Sequence, residues 1–457
     1  MILRVSPVSR GRKPKKNTKN KKRRAVGRSA GGGGHGGQPE PPGSALAWSP
    51  RPAAFDEPPA WFTEASLAVL DGAGVALAAR GPRELEQATV DLLGRQVRYA
   101  MREVRHGLRF ESWFEEVAAV LAEHVQEDLV EGGGDAWEGS WWLLHGMTSI
   151  GSPALAWAAR TALRDLTKLA GAGPGAADPV PDIVLALRRQ PAWLAQLPRI
   201  AATGEVWLLR DAYGCRFGVI AGMSYPDGVD PSVFLFDIDA CGIVDLANAG
   251  AFDDVTRAAA AWRAMVGDTA GGAHPTPVQT ADQLECLVHW DSGELALGWE
   301  SDAALDNWFR ARRRVHDVAD ALRGRGMPLP AHRSLYNRDA TPLAEAFTAW
   351  YDARHGTKPD AAAVEALAEE WLDGCLPGTE HAASPHRVRF LLETLTDDWI
   401  EDDPITVAVK PLLPDWVRWH GEQAGLPDDL VQRAVDVAAR HTETALSAHS
   451  MLHRGTQ

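Results

Sequence analysis

The chain has 457 residues, 45% of them hydrophobic, and carries 47 Lys and Arg against 61 Asp and Glu for a formal net charge of -14. That length and apolar content place it among globular proteins with two or three domains. Its four cysteines, Cys215, Cys241, Cys286 and Cys375, show no CxxC and no paired ligand spacing, which argues against a zinc ribbon or a disulfide scaffold and for free thiols in a reducing cytosol.

The net charge hides an asymmetry. Residues 1–28 hold twelve Lys or Arg and no acid, leaving 35 of the 47 cations to face all 61 acids in the rest of the chain. Such a segment buries no apolar surface and repels itself, so a disordered basic tail is expected, continued by a Gly- and Pro-rich linker to about residue 60. The body takes its positive charge almost entirely from Arg, a bias that fits GC-rich bacterial coding. No apolar run is long enough to span a bilayer. No hydrophobic segment follows the tail's charges as a secretory signal requires, and Arg23-Arg24 leads into AVGRSAGGGG rather than an apolar core. The expected location is the cytoplasm, away from membranes.

Folded structure is expected from Trp61. A helix is predicted over Pro82–Val104, with proline and acids in its first turn and Leu85, Leu92, Leu93, Val97, Ala100, Met101 and Val104 on one face. Others are predicted over Glu111–Val130, stopped by Gly132–Gly134, and from Ser152-Pro153 until GAGPG. From Glu205 to Leu246 the pattern changes to strands. Residues 206–210, 215–223 and SVFLFDI are apolar and aromatic, punctuated by DAYG at 211–214, DACG at 239–242 and the loop YPDGVDP, which predicts a four-stranded antiparallel meander with two D-x-x-G turns. An amphipathic helix over Phe252–Val266, capped near Asp253, should bury Val255, Ala259, Trp262 and Val266 against that sheet. A further helix is predicted over Ser301–Leu322, and helices opening at Thr341-Pro342, Ser384-Pro385 and Pro427-Asp428 with stops at Gly356, Gly374 and Gly425.

The predicted fold is therefore mainly α with a central α+β portion. Residues 1–60 form the tail and linker, 61–200 a helical domain, 201–330 an α+β domain whose small antiparallel β-meander packs on helices, and 331–457 a C-terminal helical bundle.

The tail is the strongest chemical signal. Arg10, Arg12, Lys13, Lys15, Lys16, Lys19, Lys21, Lys22, Arg23 and Arg24 on a mobile chain favour phosphate polymers through counterion release, without sequence preference, so nucleic acid or ribosome is the expected partner. The arginines at 310, 312, 313 and 314 spread over more than one helical face and are expected on a solvated, ion-pairing surface. Eighteen tryptophans outnumber the 11 Phe and 5 Tyr together, and their place on apolar helix faces predicts core packing, protein partners or self-association. His449 and His453, four apart near the chain end, read as solvated, and His381 and His386 flank a turn.

VFLFDID resembles the opening strand of the haloacid dehalogenase-like phosphohydrolases, where an apolar strand delivers D-x-D to magnesium. The resemblance implies Asp237 as nucleophile and Asp239 as general acid or base, with Lys358-Pro359 and the acids Asp397, Asp398, Asp402 and Asp403 in the places of the family's later motifs. The family's Gly after D-x-D is Ala240 here. Read without the family, the same residues make a strand that ends in a turn-forming Asp239, with Asp237 at an exposed or edge position. The leading expectation is a non-enzymatic binding or scaffold protein without cofactor or metal, and the metal-dependent phosphohydrolase is the alternative.

Overall fold

The computed structural model describes residues 58–440 apart from 105–106, 132–136, 170–189, 227–231, 292–300 and 398. The tail's basic residues, most of YPDGVDP, and His449 and His453 lie outside the described residues. The architecture is mainly helical with a single antiparallel sheet. No helix among the described residues is long and apolar enough to cross a membrane.

The first helices are α1 (Ala60–Gly72), α2 (Pro82–Glu103), α3 (Phe110–Glu131), α4 (Trp137–Ile150) and α5 (Pro153–Leu169). In α2, Pro82 and Glu84 occupy the first turn, and the stripe Leu85, Leu92, Leu93, Val97 and Ala100 is buried as the spacing predicts. The sheet follows as β1 (Ala201–Arg210), β2 (Arg216–Ser224), β3 (Ser232–Asp239), β4 (Asp245–Phe252) and β5 (Thr276–Pro277), in the order β4-β3-β2-β1-β5. The fifth strand is hidden by its Pro277 and the preceding Pro275, and an edge position is where a strand tolerates the missing N–H.

Every residue of β3 is buried, because the sheet is covered on both faces. Val233 and Leu235 join Leu209, Ile220 and Trp262 beneath α6 (Val255–Val266). On the other face Phe234, Phe236 and Ile238 enter a core that runs back through α1 to α5. The cap of α6 is Asp254, which accepts the N–H of Arg257, and not Asp253; Phe252 closes β4 instead of opening the helix.

After α7 (Glu285–Asp291), the helix predicted over Ser301–Leu322 is two: α8 (Asp302–Asp306) and α9 (Trp308–Gly324). They break at Asn307, whose side-chain amide donates to the carbonyls of Ala249 (3.0 Å) and Ala303 (2.8 Å) and so draws the chain onto β4. The C-terminal helices are α10 (Thr341–His355), α11 (Ala361–Leu372), α12 (Pro385–Asp397), α13 (Pro404–Val409) and α14 (Leu413–Gln423), with a last helix over 428–440. Gly356, Gly374 and Gly425 stand at the predicted stops with φ of 68°, 73° and 64°. Phe347, Trp371, Trp416 and Trp419 centre a second core. Ten of the sixteen tryptophans among the described residues are buried, which supports core packing, whereas Trp157 is 62% exposed.

The arginine cluster departs from expectation. None of its four members is exposed, and Arg310 and Arg314 are buried. Both reach Glu86 on α2, with Arg314 Nη2 at 2.8 Å from Oε2 and Arg310 Nη1 at 3.3 Å from Oε1, while the Tyr225 hydroxyl donates to Oε2 at 2.9 Å. Arg314 also pairs with Asp317. Burial works to raise the Glu86 carboxyl, but the two guanidiniums hold it below the usual range. Helical spacing could not expose this, because the partner acid lies more than two hundred residues away on another helix.

A second polar pair reaches into the C-terminal core, where the Nδ1 atoms of half-buried His381 and buried His420 are 3.0 Å apart. Burial, then the Arg387 cation and His381, hold the imidazole of His420 well below its ordinary range. A base held neutral on folding contributes stability that is present above its unfolded pKa of about 6.5 and is lost as pH falls below it, by up to about 1.4 kcal/mol per pH unit. Thermal unfolding between pH 7.5 and 5 should therefore show a shallower loss of stability in His420→Phe than in the native chain; parallel curves would count against a neutral, buried His420.

Candidate functional site at the hairpin and α12

Antiparallel pairing sets Arg216 opposite Asp239 and Gly218 opposite Asp237. From β2 the Arg216 guanidinium forks onto Asp237, with Nε to Oδ1 at 2.9 Å and Nη2 to Oδ2 at 2.7 Å, and its Nη1 lies 3.7 Å from Asp239 Oδ2. Trp262 Nε1 donates to Asp237 Oδ1 at 3.0 Å. Asp237 is fully buried on an interior strand, which corrects the exposed or edge position expected for it. Period-two geometry does put both carboxylates on one face, but the group they share is a guanidinium. Burial pushes the Asp237 carboxyl up against the pull of its Arg216 donors.

The phosphohydrolase resemblance implies parallel strands, and β3 lies between two antiparallel neighbours. Its other candidate residues are dispersed. Lys358 lines a separate cleft with Thr341, Asp352 and Glu365. Asp403 caps α13 by accepting the N–H of Ile405, and Asp402 is exposed. Asp398 and the side chain of Asp397 lie outside the described residues.

The two D-x-x-G corners use their acids alike and their glycines differently. Asp211 Oδ1 accepts the N–H groups of Cys215 and Arg216 at 3.0 Å, and Gly214 takes φ of 79°, where a side chain is strained. Asp239 Oδ1 accepts the N–H of Cys241 at 2.8 Å. Gly242 needs no left-handed backbone; a Cβ there would lie 2.7 Å from the ring of Phe390 on α12. Its glycine admits a helix rather than a turn.

That helix supplies the residue missed by spacing. Ser384 caps α12 by accepting the N–H of Arg387 at 3.0 Å and donates its hydroxyl to Cys241 Sγ at 3.2 Å, tying the helix start to the hairpin. His386, in the first turn, then places Nδ1 at 2.9 Å from the second oxygen of Asp239. Asp239 thus serves turn and site with different atoms. Burial alone would raise its carboxyl, yet the His386 hydrogen bond and the charges of His386 and Arg216 hold it below the ordinary range. Burial pushes the Cys241 thiol well up, with Cys215 and Asp239 adding to the effect. Asp239, Cys241 and His386 bring one potential ligand atom each within 4.8 Å of one another, the one such group of three among the described residues. The Ser-Pro signal at 384–385 is the only sequence hint of His386's placement.

A pocket of about 300 Å³ opens here, lined by Arg216, Asp239, Asp245, Ser301, His386 and Phe390 among others. Cys241 lines a neighbouring pocket of about 190 Å³ that shares Gly242, Ile243 and Phe390 with the first. In comparisons with known proteins, no family model, curated protein or solved structure matches the chain.

Proposed function

We propose that this protein is a binding protein whose working site is the pocket at the hairpin and α12, and that its ligand is a cation. One observation carries the reading. The guanidinium of Arg216 is already forked onto buried Asp237, so among the described residues the charged groups that line the pocket, counted with Asp237, are one cation and three acids beside the His386 imidazole. With all three carboxylates ionised, that balance is negative whether His386 is neutral or protonated. A unit cation about 4 Å from a carboxylate gains about 4 kcal/mol at an effective dielectric of 20, and an anion is disfavoured to the same degree.

Calorimetric titration of the full chain with Mg²⁺, Ca²⁺, Zn²⁺, 1,4-diaminobutane and inorganic phosphate tests it. At least one cation should bind and phosphate should not, and Asp239→Asn and Asp245→Asn should each weaken the cation about tenfold, or about 1.4 kcal/mol. Binding of phosphate alone, or of no cation, would end the proposal.

A second reading rests on the charge count of residues 1–28, which is independent of the pocket. We propose that the tail contacts nucleic acid or ribosome without sequence preference. Deleting residues 1–30 should abolish binding to duplex DNA or RNA together with its steep salt dependence; a full-length chain with no salt-sensitive binding would contradict it.

A further inference from the structure

Where the two pockets adjoin, Asp239 and His386 of the first and Cys241 of the second offer an oxygen, a nitrogen and a sulfur, and that mixture discriminates among cations. Mg²⁺ and Ca²⁺ are hard ions that take oxygen ligands, Mg²⁺ in near-ideal octahedra at about 2.0–2.1 Å. Thiolate and imidazole suit zinc and related borderline ions, which accept four ligands in a tetrahedron. With Zn–N of about 2.0–2.1 Å and Zn–S of about 2.3 Å, ligand atoms in such a site lie about 3.3–3.7 Å apart. Asp239, Cys241 and His386 hold theirs within 4.8 Å, and Asp239 Oδ2 and His386 Nδ1 are 2.9 Å apart, so the longest separation must close by about 1 Å and the shortest open by about 0.4 Å.

The scaffold around these donors is asymmetric in a way that suits an ion. Asp239 and Cys241 belong to one hairpin corner, where the Asp239 Oδ1 bond to the Cys241 N–H fixes their relative position and leaves the other carboxylate oxygen facing His386. Cys241 is buried and Asp239 nearly so, while the His386 side chain is 37% exposed at the start of its helix and has room to adjust. The atom shared between Asp239 Oδ2 and His386 Nδ1 at 2.9 Å is a proton, and a metal ion in its place would be met by both partners.

We infer that Asp239, Cys241 and His386 form a binding site for a zinc-like divalent transition-metal ion, a proposal that rests on the cation-pocket reading and specifies its ligand. On binding, the Cys241 thiol releases its proton to solvent and its sulfur forms a bond to the metal. His386 ligates through a ring nitrogen after giving up its proton there, either to solvent or to the other nitrogen, and Asp239 through a carboxylate oxygen. Solvent supplies the fourth position. Arg216, held on Asp237, stays within 3.7 Å of Asp239 and limits how far that carboxylate can swing.

Co²⁺ is the probe, because a cobalt–thiolate bond produces an intense near-ultraviolet charge-transfer band and a tetrahedral site produces visible bands. The full chain should show both on titration, with Zn²⁺ displacing the cobalt. Cys241→Ser should abolish the charge-transfer band, and His386→Ala should weaken Co²⁺ by more than about 100-fold, beyond the usual cost of losing an outer-shell partner. Cys286→Ser, which alters a buried thiol of another cluster, should leave the spectrum unchanged. X-ray absorption on the native chain loaded with Zn²⁺ should count one sulfur and three nitrogen or oxygen neighbours, one of them from solvent, a readout that stands even if Cys241→Ser fails to fold. A band that survives Cys241→Ser, or a zinc shell without sulfur, overturns the assignment. Binding of Mg²⁺, Ca²⁺ or the diamine with no cobalt–thiolate band overturns this inference alone, whereas no cation binding of any kind overturns the pocket reading as well.

Discussion

Glu86→Gln is expected to lower the unfolding free energy by about 3–5 kcal/mol, measured by urea denaturation. The carboxylate is buried with less than 4% side-chain exposure on either guanidinium, so its removal leaves the Arg310 and Arg314 charges in a low-dielectric core. Arg314 keeps Asp317, and Arg310 keeps Asn307 and Gln87, so the loss falls short of what two wholly orphaned ions would cost. Glutamine retains the length and an acceptor for the Tyr225 hydroxyl, which isolates charge from packing. Adding Arg310→Met and Arg314→Met to Glu86→Gln should recover part of the loss, since the two guanidiniums left without Glu86 are then replaced by apolar side chains and Asp317 keeps Arg313. A change below about 1 kcal/mol in the single variant would mean that the arginines find water in solution.

Trp262→Ala is expected to cost about 3–5 kcal/mol, the range for removing a large aromatic from a core. Trp262 has no exposed surface and packs over Gly218, where an added Cβ would lie 2.9 Å from the indole. Its N–H also donates to Asp237, so Trp262→Phe separates the two contributions: most of the volume stays and one hydrogen bond to a charged acceptor goes, for about 1.5–3 kcal/mol. Equal losses in the two variants would show that the hydrogen bond outweighs the packing. Because Asp237 holds the fork of Arg216, Trp262→Phe should also loosen the arginine that borders the pocket, visible as a small drop in cation affinity without loss of the fold.

Much of the helical architecture is legible from local pattern. The Pro82 opening, the stripe from Leu85 to Ala100 and the glycines at 356, 374 and 425 act through backbone and capping chemistry within a few residues, so sequence and structure agree there. The antiparallel meander is legible for the same reason, from turn chemistry at Asp211 to Gly214 and from runs of apolar residues in β2 and β3. Asp239 was half legible: its turn role is local, and the Oδ1 bond to Cys241 is the hairpin chemistry that spacing predicts.

Contacts within a few residues settle the helix starts and stops, the strand alternation and the meander, and composition alone gives the concentration of basic charge in residues 1–28 against an acidic remainder. The burial of charge and the meeting of side chains distant along the chain are set by the packed fold. Glu86 pairs with arginines 224 and 228 positions away, and Asp239 meets a histidine 147 positions away. Those pairings depend on how whole elements pack, and a helix or strand pattern says which face is apolar without saying whose apolar face it joins. The site at the hairpin therefore appears only when α12 closes on Gly242.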